Sequence, residues 1–417
     1  MKERLKCQAA ILKVASRCNL NCDYCYMYNL ADKSYLGQPK FMSGKIVEAL
    51  INEVKNHCLL HGIKHFEFIF HGGEPLLLSP DFYIDFVETA GKVLDSVVTP
   101  GFSLQTNGVL LTDKWCEVFA SLGIRVGISL DGLPAIHDAH RVDHQGRGSY
   151  QATVKGLKIA QESAYLKGVP GVLTVIDVDS DPVETYHHLK SLGIRHVNFL
   201  FPDGNFDYLP KGIDFSGEKT LYADWLISLF DTWLNDASPK PEIRLFRQVM
   251  QLVLGIDNGF EYWGKRRNEF IVIETDGSIE AIGALKSCGE NFTKAGVNIL
   301  SASLDEALQT DLAQIYHLSH EKLCSQCLNC PVGEVCGGGY LPHRFGRNRG
   351  FNNPSVYCQD LLKLICHIQH SVLDDLPEEL LESIQLEKID YLELRNDLHL
   401  SGITDENPVL ESFGIKK

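Results

Sequence analysis

The sequence lacks features that would mark a membrane, secreted or nucleic-acid-binding protein. No apolar run is long enough to span a bilayer, and the N-terminal stretch MKERLKCQAAILKV is too short in its apolar part for a secretory signal. We therefore predict a cytoplasmic protein without a membrane partner. Basic residues are in deficit, since 39 Lys and Arg face 54 Asp and Glu and give a formal net charge of −15. Phosphate binding needs an excess of Lys and Arg, so we expect no nucleic-acid partner.

Cysteine, in contrast, is abundant, with 13 residues in a chain of 417. In a reducing cytoplasm these thiols are expected to be metal ligands, catalytic groups or small buried side chains rather than disulfides. Three that stand alone in strand-like or helix-like stretches, Cys7, Cys58 and Cys116, are predicted core residues. The other ten form an N-terminal trio and a later group: Cys18, Cys22 and Cys25, then Cys288, Cys324, Cys327, Cys330, Cys336, Cys358 and Cys366.

The first 200 residues alternate apolar strand-like runs with helical patterns. This repeat of about six βα units predicts a parallel sheet, and six units are too few for a complete eight-stranded barrel. We therefore expect an α/β protein with a partial (β/α)6 barrel and a C-terminal cysteine-rich domain. The predicted boundaries are 1–202 for the barrel, 203–268 for a helical bridge, 269–368 for the cysteine-rich domain and 369–417 for a helical tail.

The trio follows the first predicted strand, where a parallel α/β fold places its chemistry. Its spacing is CxxxCxxC, and three cysteines on one loop can hold three irons of a [4Fe–4S] cluster while the fourth iron stays open. An open iron can bind a substrate or a cofactor. The alternative is a zinc knuckle with a missing or distant fourth ligand, although zinc sites usually show paired CxxC or CxxH elements.

This trio, with an aromatic residue before its third cysteine, resembles the radical S-adenosylmethionine (SAM) superfamily. The later stretches FHGGEP, LQTNG and SLDG, and the arginine of DAHR, match that family in order over residues 9–202. The resemblance implies that Cys18, Cys22 and Cys25 hold the SAM-binding cluster. It also implies a set of cofactor-binding residues: Tyr24, Gly72, Gly73, Glu74, Asn107, Ser129 and Arg141.

The later cysteines, in CSQCLNCPVGEVCGGGYLPHR (324–344) and NPSVYC, resemble the SPASM extension of peptide-modifying radical SAM enzymes. The resemblance implies an auxiliary [4Fe–4S] cluster with four cysteine ligands: Cys327, Cys330, Cys336 and Cys358. Cys288 and Cys324 are possible further ligands, whereas Cys366 lies on a helix-like run and is predicted to be core. The sequence departs from the pattern with a second auxiliary cluster, because Ile282 and Tyr340 stand where cysteines are usual. A zinc ribbon remains the alternative for this region.

Three sequence stretches are similar to those of the maturases that form cyclophanes in glycine-rich-repeat peptides. They are CGGGYLPHRF, NNPSVYCQDL and DGSIEAIGALKSCG. That resemblance implies a ribosomally made precursor peptide as substrate and a crosslink between an aromatic ring carbon and a side-chain β-carbon. It implies an external electron donor of the flavodoxin or ferredoxin type. Candidates for the catalytic base are Glu290 and His343, and Arg344 is a further candidate site residue, for a substrate carboxylate or a buried acid.

Other activities of the same group stay open at this point. They are thioether formation on a cysteine and oxidation of Ser or Cys to formylglycine, as in sulfatase maturation. A protein that only binds peptides or carries electrons through an iron–sulfur or zinc site is the non-catalytic alternative. Cleavage of SAM to 5′-deoxyadenosine separates this last alternative from the enzymes.

Overall fold

The structure, a computed structural model, describes residues 4–168, 170–257, 261–377 and 387–400. Contacts divide the chain into two compact units, each assembled from several segments. Unit 1 takes Met1–Val175, Leu192–Val197 and Glu269–His317, and unit 2 takes Ile176–Ser191, Asn198–Asn268 and Leu318–Lys417. Residues 269–317 therefore belong with the first βα units, whereas residues 318–368 belong to unit 2. The four predicted domain boundaries stay a prediction.

Strands and helices alternate along the first 200 residues, as the sequence predicts. The strands are β1 Ala9–Ala15, β2 His65–Gly72, β3 Thr99–Thr106, β4 Arg125–Ser129, β5 Gly171–Val175, β6 His196–Leu200, β7 Glu242–Ile243, β8 Phe270–Ile273 and β9 Ile279–Glu280. The helices up to residue 253 are α1 Gly44–His61, α2 Pro80–Leu94, α3 Asp113–Leu122, α4 Pro134–His140, α5 Tyr150–Glu162, α6 Pro182–Ser191, α7 Leu221–Asn235 and α8 Arg244–Val253. Gly123 ends α3 in the left-handed conformation (φ +68°), as a helix C-cap glycine should.

The sheet of unit 1 runs in the order β5-β4-β3-β2-β1-β8-β9. Neighbouring strands from β5 to β8 are parallel, and β9 is antiparallel to β8. The predicted parallel α/β sheet is confirmed, and its closure into a partial barrel stays a prediction. Because the strands are parallel, the loops after β1 to β4 all leave the same edge of the sheet.

The hairpin β8–β9 extends this sheet beyond β1. The stretch ETDGSIEA predicts a hairpin, because Asp276-Gly277 is a dipeptide typical of hairpin turns. The structure confirms it, with the Glu274 N–H donating to the carbonyl of Ser278 at 2.9 Å. The parallel pairing of β8 with β1 was not predicted. It explains why β1 is buried almost throughout, since a strand with neighbours on both sides is central in its sheet.

Short helices and one long helix complete the chain. They are α9 Leu304–Leu308 and α10 Asp311–His317 in unit 1, and α11 Ser325–Leu328, α12 Gly333–Cys336, α13 Cys358–Asp374 and α14 Tyr391–Leu400 in unit 2. The predicted tail helices fall partly on residues 378–386 and 401–417, which lie outside the described residues. None of the helices that the structure describes is long and apolar enough to cross a membrane.

The core of unit 2 contains aromatic side chains and a buried carboxylate. The sequence predicts core packing for four aromatic residues of α7, and three of them, Tyr222, Trp225 and Phe230, are buried, whereas Trp233 is half-buried. Asp360 of α13 accepts hydrogen bonds from the backbone N–H groups of Tyr222 and Ala223, both at 2.9 Å. Burial raises the pKa of Asp360 to about 6. This carboxylate therefore satisfies two N–H groups of the first turn of α7, which have no acceptor within their own helix.

We predict that Asp360→Ala lowers the free energy of unfolding by about 2 kcal/mol, because it leaves two buried N–H groups without an acceptor. Asp360→Asn retains an acceptor oxygen in the same place, so its loss should be roughly half as large. Urea denaturation followed by circular dichroism measures both. Equal losses for the two variants would show that the hydrogen bonds at the start of α7 are not what Asp360 contributes.

Candidate functional site

The N-terminal trio lies on the loop that follows β1. Cys18, Cys22 and Cys25 are half-buried free thiols. The loop is wound tightly, with the Cys25 N–H donating to the carbonyl of Cys22 at 3.1 Å and the Asn29 N–H donating to that of Cys25 at 2.8 Å. Burial raises the pKa of Cys22 to about 11, so a metal must displace the thiol protons to bind here.

Asp131, which follows β4, joins this loop to the segment after α4. The hydroxyl of Tyr24 donates to its carboxylate, and Arg141 Nε donates to Asp131 Oδ2 at 2.8 Å. The pair is enclosed, with side chains 11% and 2% exposed for Arg141 and Asp131. Arg141 also lies over the Tyr24 ring, 5.6 Å from its centroid. Although burial alone would raise the pKa of Asp131, Arg141 holds it below its usual value, so the carboxylate is ionised.

Two further buried side chains fix the orientation of this pair. The Asp131 N–H donates to His137 Nδ1 at 3.2 Å, so the proton of the neutral ring is on Nε2. Burial, assisted by Arg141, lowers the pKa of His137 to about 4 and keeps the ring neutral at pH 7. His137 Nε2 can then donate to Ser149 Oγ at 3.0 Å, and Ser149 donates to the Arg141 carbonyl at 2.7 Å.

The glycines of FHGGEP let the backbone after β2 lie directly against the cysteine loop. The Gly73 N–H donates to the carbonyl of Ala15 at 2.8 Å, and the Glu74 N–H donates to that of Arg17 at 3.0 Å. A Cβ atom on Gly73 would lie 2.1 Å from the Arg17 carbonyl oxygen, and one on Gly72 would lie 2.3 Å from that of Ala15. No larger residue fits at either position without moving the backbone.

The Glu74 carboxylate is buried and turned inward. It accepts hydrogen bonds from the Leu76 N–H at 2.9 Å, from Thr106 Oγ1 at 2.7 Å and from the Asn107 N–H at 2.9 Å. Burial raises its pKa to about 7. Asn107 in turn donates from Nδ2 to Asn19 Oδ1 at 2.8 Å. Glu74 and Asn107 therefore connect the end of β3 to the cysteine loop.

The structure thus brings most of the predicted cofactor-binding residues to the cysteine loop through direct contacts. Ser129 makes a different contact, since its hydroxyl accepts from Gln105 Nε2 at 2.9 Å across the β3–β4 pair. Asp131 and His137 were not predicted. The motif SLDG contains Asp131, but on its own it indicates only a turn, and the partner Arg141 is ten residues away.

The late cysteines lie in unit 2, except Cys288, which is buried at the end of a 3₁₀ turn in unit 1. Cys327, Cys330, Cys336 and Cys358 are half-buried free thiols, whereas Cys324 and Cys366 are buried. A hydrogen bond with Cys327 lowers the pKa of Cys324 to about 6. Cys324 therefore lies beside Cys327. Gln326 Nε2 lies 3.6 Å from the Cys358 thiol.

The glycine run after Cys336 has a steric reason. Gly337, Gly338 and Gly339 all have positive φ, between 60° and 80°. A Cβ atom on Gly337 would lie 1.7 Å from the carbonyl oxygen of Gly264. This run therefore turns the chain in a way that side chains would prevent.

The three candidate site residues of the sequence analysis are held by local contacts. Arg344 is buried and donates to backbone carbonyls, among them those of Ser319 at 2.8 Å and Lys322 at 2.6 Å, and no carboxylate partner is found for it among the described residues. His343 is buried among aromatic rings, and burial lowers its pKa to about 3. Glu290 is exposed and accepts from the Lys33 N–H at 2.8 Å.

Comparison with known proteins gives one family and two kinds of relative. Residues 12–201 match the family model described as the Radical SAM superfamily. The chain is 27% identical over 359 residues to the serine-type anaerobic sulfatase-maturating enzyme of Bacteroides thetaiotaomicron, covering 80% of this chain and 82% of the relative. It is 26% identical over 382 residues to the cysteine-type anaerobic sulfatase-maturating enzyme of Clostridium novyi, covering 85% of this chain and 93% of the relative.

Solved structures show the same fold at lower identity. Native anSMEcpe with bound AdoMet superposes with a TM-score of 0.74 at 23% identity, covering 88% of this chain and 98% of that chain. Streptococcus suis SuiB bound to the precursor peptide SuiA gives a TM-score of 0.56 at 16% identity, covering 85% of this chain and 76% of that chain. The likeness establishes the α/β fold that carries the cysteine loop.

We predict that Asp131→Asn lowers the free energy of unfolding by about 3 kcal/mol, because it leaves the Arg141 guanidinium buried without its counter-charge. The matched control is Glu88→Gln, which removes the exposed pair with Lys92 (59% and 75% exposed) and should cost less than about 0.5 kcal/mol. Urea denaturation of the metal-free chain compares them. Similar values for the two variants would contradict a buried ion pair that holds the loop.

Proposed function

We propose that this radical SAM enzyme modifies a ribosomally made precursor peptide by joining an aromatic ring carbon to the β-carbon of a nearby side chain. The observation that carries the proposal is the departure from the pattern with two auxiliary clusters. Ile282 and Tyr340, which stand at positions where that pattern has cysteines, are buried, and Tyr340 stacks on Tyr262 with ring centroids 4.3 Å apart. Each position is thus filled by a packed side chain. With CGGGYLPHRF and NNPSVYCQDL, this pattern resembles the cyclophane-forming maturases.

The cofactors of the enzyme are SAM, the [4Fe–4S] cluster at which SAM binds, and at least one auxiliary [4Fe–4S] cluster. We propose Cys18, Cys22 and Cys25 as the ligands of the first. Three half-buried thiols on one tightly wound loop fit a cluster with an open iron. When bound, this pair of cofactors supplies a 5′-deoxyadenosyl radical that abstracts hydrogen from a C–H bond.

The residues around the loop have two proposed tasks. Asp131 and Glu74 hold the loop in place from the ends of β4 and β2, because their carboxylates bind partners on or beside it. Tyr24, Asn107, Ser129 and Arg141 are proposed to contact SAM, together with the backbone of Gly72 and Gly73. The close approach of that backbone to the loop supports this arrangement.

For the auxiliary cluster we propose four ligands: Cys327, Cys330, Cys336 and Cys358. These thiols fit a cluster because all four are half-buried in one unit. The positive charge of the buried Arg344 also interacts electrostatically with Cys327 and Cys336. A cluster with four cysteine ligands has no open iron, so its proposed task is to accept the electron that leaves the substrate when aromaticity is restored. An external donor of the flavodoxin or ferredoxin type is proposed to reduce the SAM-binding cluster.

A second candidate function is favoured by the named relatives. Enzymes that mature sulfatases of the serine and cysteine types are similar to this chain over at least 80% of its length. Formation of formylglycine from Ser or Cys would use the same SAM chemistry on a different side chain. The mass of the modified peptide distinguishes the two reactions.

Iron content tests the proposed auxiliary ligands. We predict about eight iron atoms per anaerobically reconstituted chain, four from each of two clusters. Cys336→Ser should lose about half of them, whereas Cys366→Ser should lose none, because Cys366 is buried on α13 and is not a proposed ligand. Iron analysis with EPR of the reduced proteins measures this. About twelve irons in the wild-type chain would instead require a second auxiliary cluster.

The reaction is tested by co-expression with short open reading frames that lie beside the gene. We predict a peptide that has lost two hydrogens and no longer fragments between an aromatic residue and its neighbour, because one C–H bond is lost at each end of the crosslink. Tandem mass spectrometry locates the change. The control is Cys22→Ala, which should leave the peptide unmodified and abolish 5′-deoxyadenosine formation by the purified enzyme.

Other masses would contradict the crosslink. Loss of two hydrogens confined to a single Ser, or exchange of sulfur for oxygen together with loss of two hydrogens at a Cys, would support formylglycine formation. A new bond to a cysteine sulfur would indicate a thioether. A peptide that stays unchanged beside an enzyme that cleaves SAM would exclude that peptide as the substrate.

A further inference from the structure

A fully buried cation lies on β1, directly before the cysteine loop. The Lys13 side chain is 1% exposed. Its Nζ donates to the Tyr26 hydroxyl at 2.7 Å and lies 5.1 Å from the centroid of that ring. Tyr26 immediately follows Cys25. The ammonium group is therefore anchored to the loop by the residue next to the third cysteine.

Acidic side chains of the β8–β9 hairpin balance this charge. β1 and β8 pair in register, with Leu12 opposite Ile273, so Lys13 lies beside Glu274. Glu274 and Glu280 are each 2% exposed, and Lys286 Nζ lies 2.7 Å from Glu280 and 3.2 Å from Glu274. Two lysines and two glutamates are thus buried together, and their formal charges cancel. This cancellation is what allows four ionisable groups to be buried.

The charge on Lys13 is retained at neutral pH. Burial lowers its pKa to about 8, and Glu274 opposes that shift, so the ammonium form prevails at pH 7. His71, whose Nδ1 lies 3.4 Å from Lys13 Nζ, does not carry a second positive charge. Burial lowers its pKa to about 3, and its Nδ1 accepts from the Gly72 N–H at 2.8 Å. The histidine ring is therefore neutral.

The field of this ammonium group reaches the cysteine loop. Burial raises the pKa of Cys25, and the positive charges of Lys13 and Arg141 oppose that rise because they favour the thiolate. Arg141 is already neutralised by Asp131 at 2.8 Å. Lys13, whose nearest described polar partner on the loop side is the uncharged Tyr26 hydroxyl, is thus a cation that faces the loop with its acids on the other strand.

We propose that the Lys13 ammonium group raises the reduction potential of the cluster held by Cys18, Cys22 and Cys25, and that Glu274 limits the size of this effect. Reduction adds one electron from the external donor to the cluster and breaks no bond, so the reduced state carries one more negative charge. A buried cation stabilises that state, because charges interact strongly where water is excluded. The inference depends on the proposed placement of the SAM-binding cluster, but not on the identity of the peptide product.

The test is a redox titration of the reconstituted full-length enzyme with SAM present, followed by EPR. Lys13→Met removes the charge and keeps the apolar chain length. At a fixed potential near the wild-type midpoint, the ratio of reduced to oxidised cluster should fall roughly fivefold or more. Glu274→Gln removes the opposing charge, so the same ratio should rise. A general loosening of the fold would not move the two variants in opposite directions.

Lys13→Arg is the matched control, because it keeps the charge and should hold the ratio within roughly twofold of the wild-type value. Unchanged ratios in Lys13→Met with full iron content, or shifts of the same sign in Lys13→Met and Glu274→Gln, would overturn the proposal. If Lys13→Met does not fold, an unchanged ratio in Glu274→Gln overturns it alone. A wild-type EPR signal that does not respond to SAM would contradict the proposed placement of the SAM-binding cluster. The absence of a crosslink in the peptide would leave the inference about Lys13 unaffected.

Discussion

The arrangement of unit 1 depends on contacts from outside the cysteine trio that hold the cysteine loop in place. The proposed ligand role of the thiols requires that other groups hold the loop in place. Asp131 does this through charge, since its carboxylate binds both Tyr24 and Arg141 in a site that excludes water. The FHGGEP backbone does it through hydrogen bonds to Ala15 and Arg17. Both sets of contacts come from the ends of parallel strands, because those ends lie at the same edge of the sheet.

The elements that periodicity determines could be predicted from the sequence. The alternation of β1 to β6 with helices, the C-cap at Gly123 and the turn at Asp276-Gly277 are all local patterns, and the structure confirms them. The pairing of β8 with β1 could not be predicted, because the two strands are more than 250 residues apart and both are short apolar runs. Register between such strands depends on tertiary packing, which no local pattern encodes.

In the candidate site too, the sequence predicts which residues matter but not which groups they contact. The motifs predicted Arg141 and Glu74 as site residues, but not the groups that these two side chains bind. Arg141 is tied to Asp131, and Glu74 accepts three hydrogen bonds within the fold. Arg344 was expected to bind a substrate carboxylate or a buried acid, and in the structure it donates to backbone carbonyls. Arg141 and Glu74 thus hold the segments around the cysteine loop, and a sequence pattern cannot separate that role from direct contact with a cofactor.

The buried cations of the two units share one feature, which is that each lies close to cysteines. The chain carries a formal net charge of −15, yet Lys13 and Arg141 in unit 1 and Arg344 in unit 2 are buried cations close to cysteines. Burying a cation is costly unless a negative charge or a set of carbonyl groups compensates it. An iron–sulfur cluster with thiolate ligands is itself such a negative charge, and its potential follows the charges around it. Three buried cations of this acidic protein thus lie close to cysteines, where the proposed clusters would add negative charge.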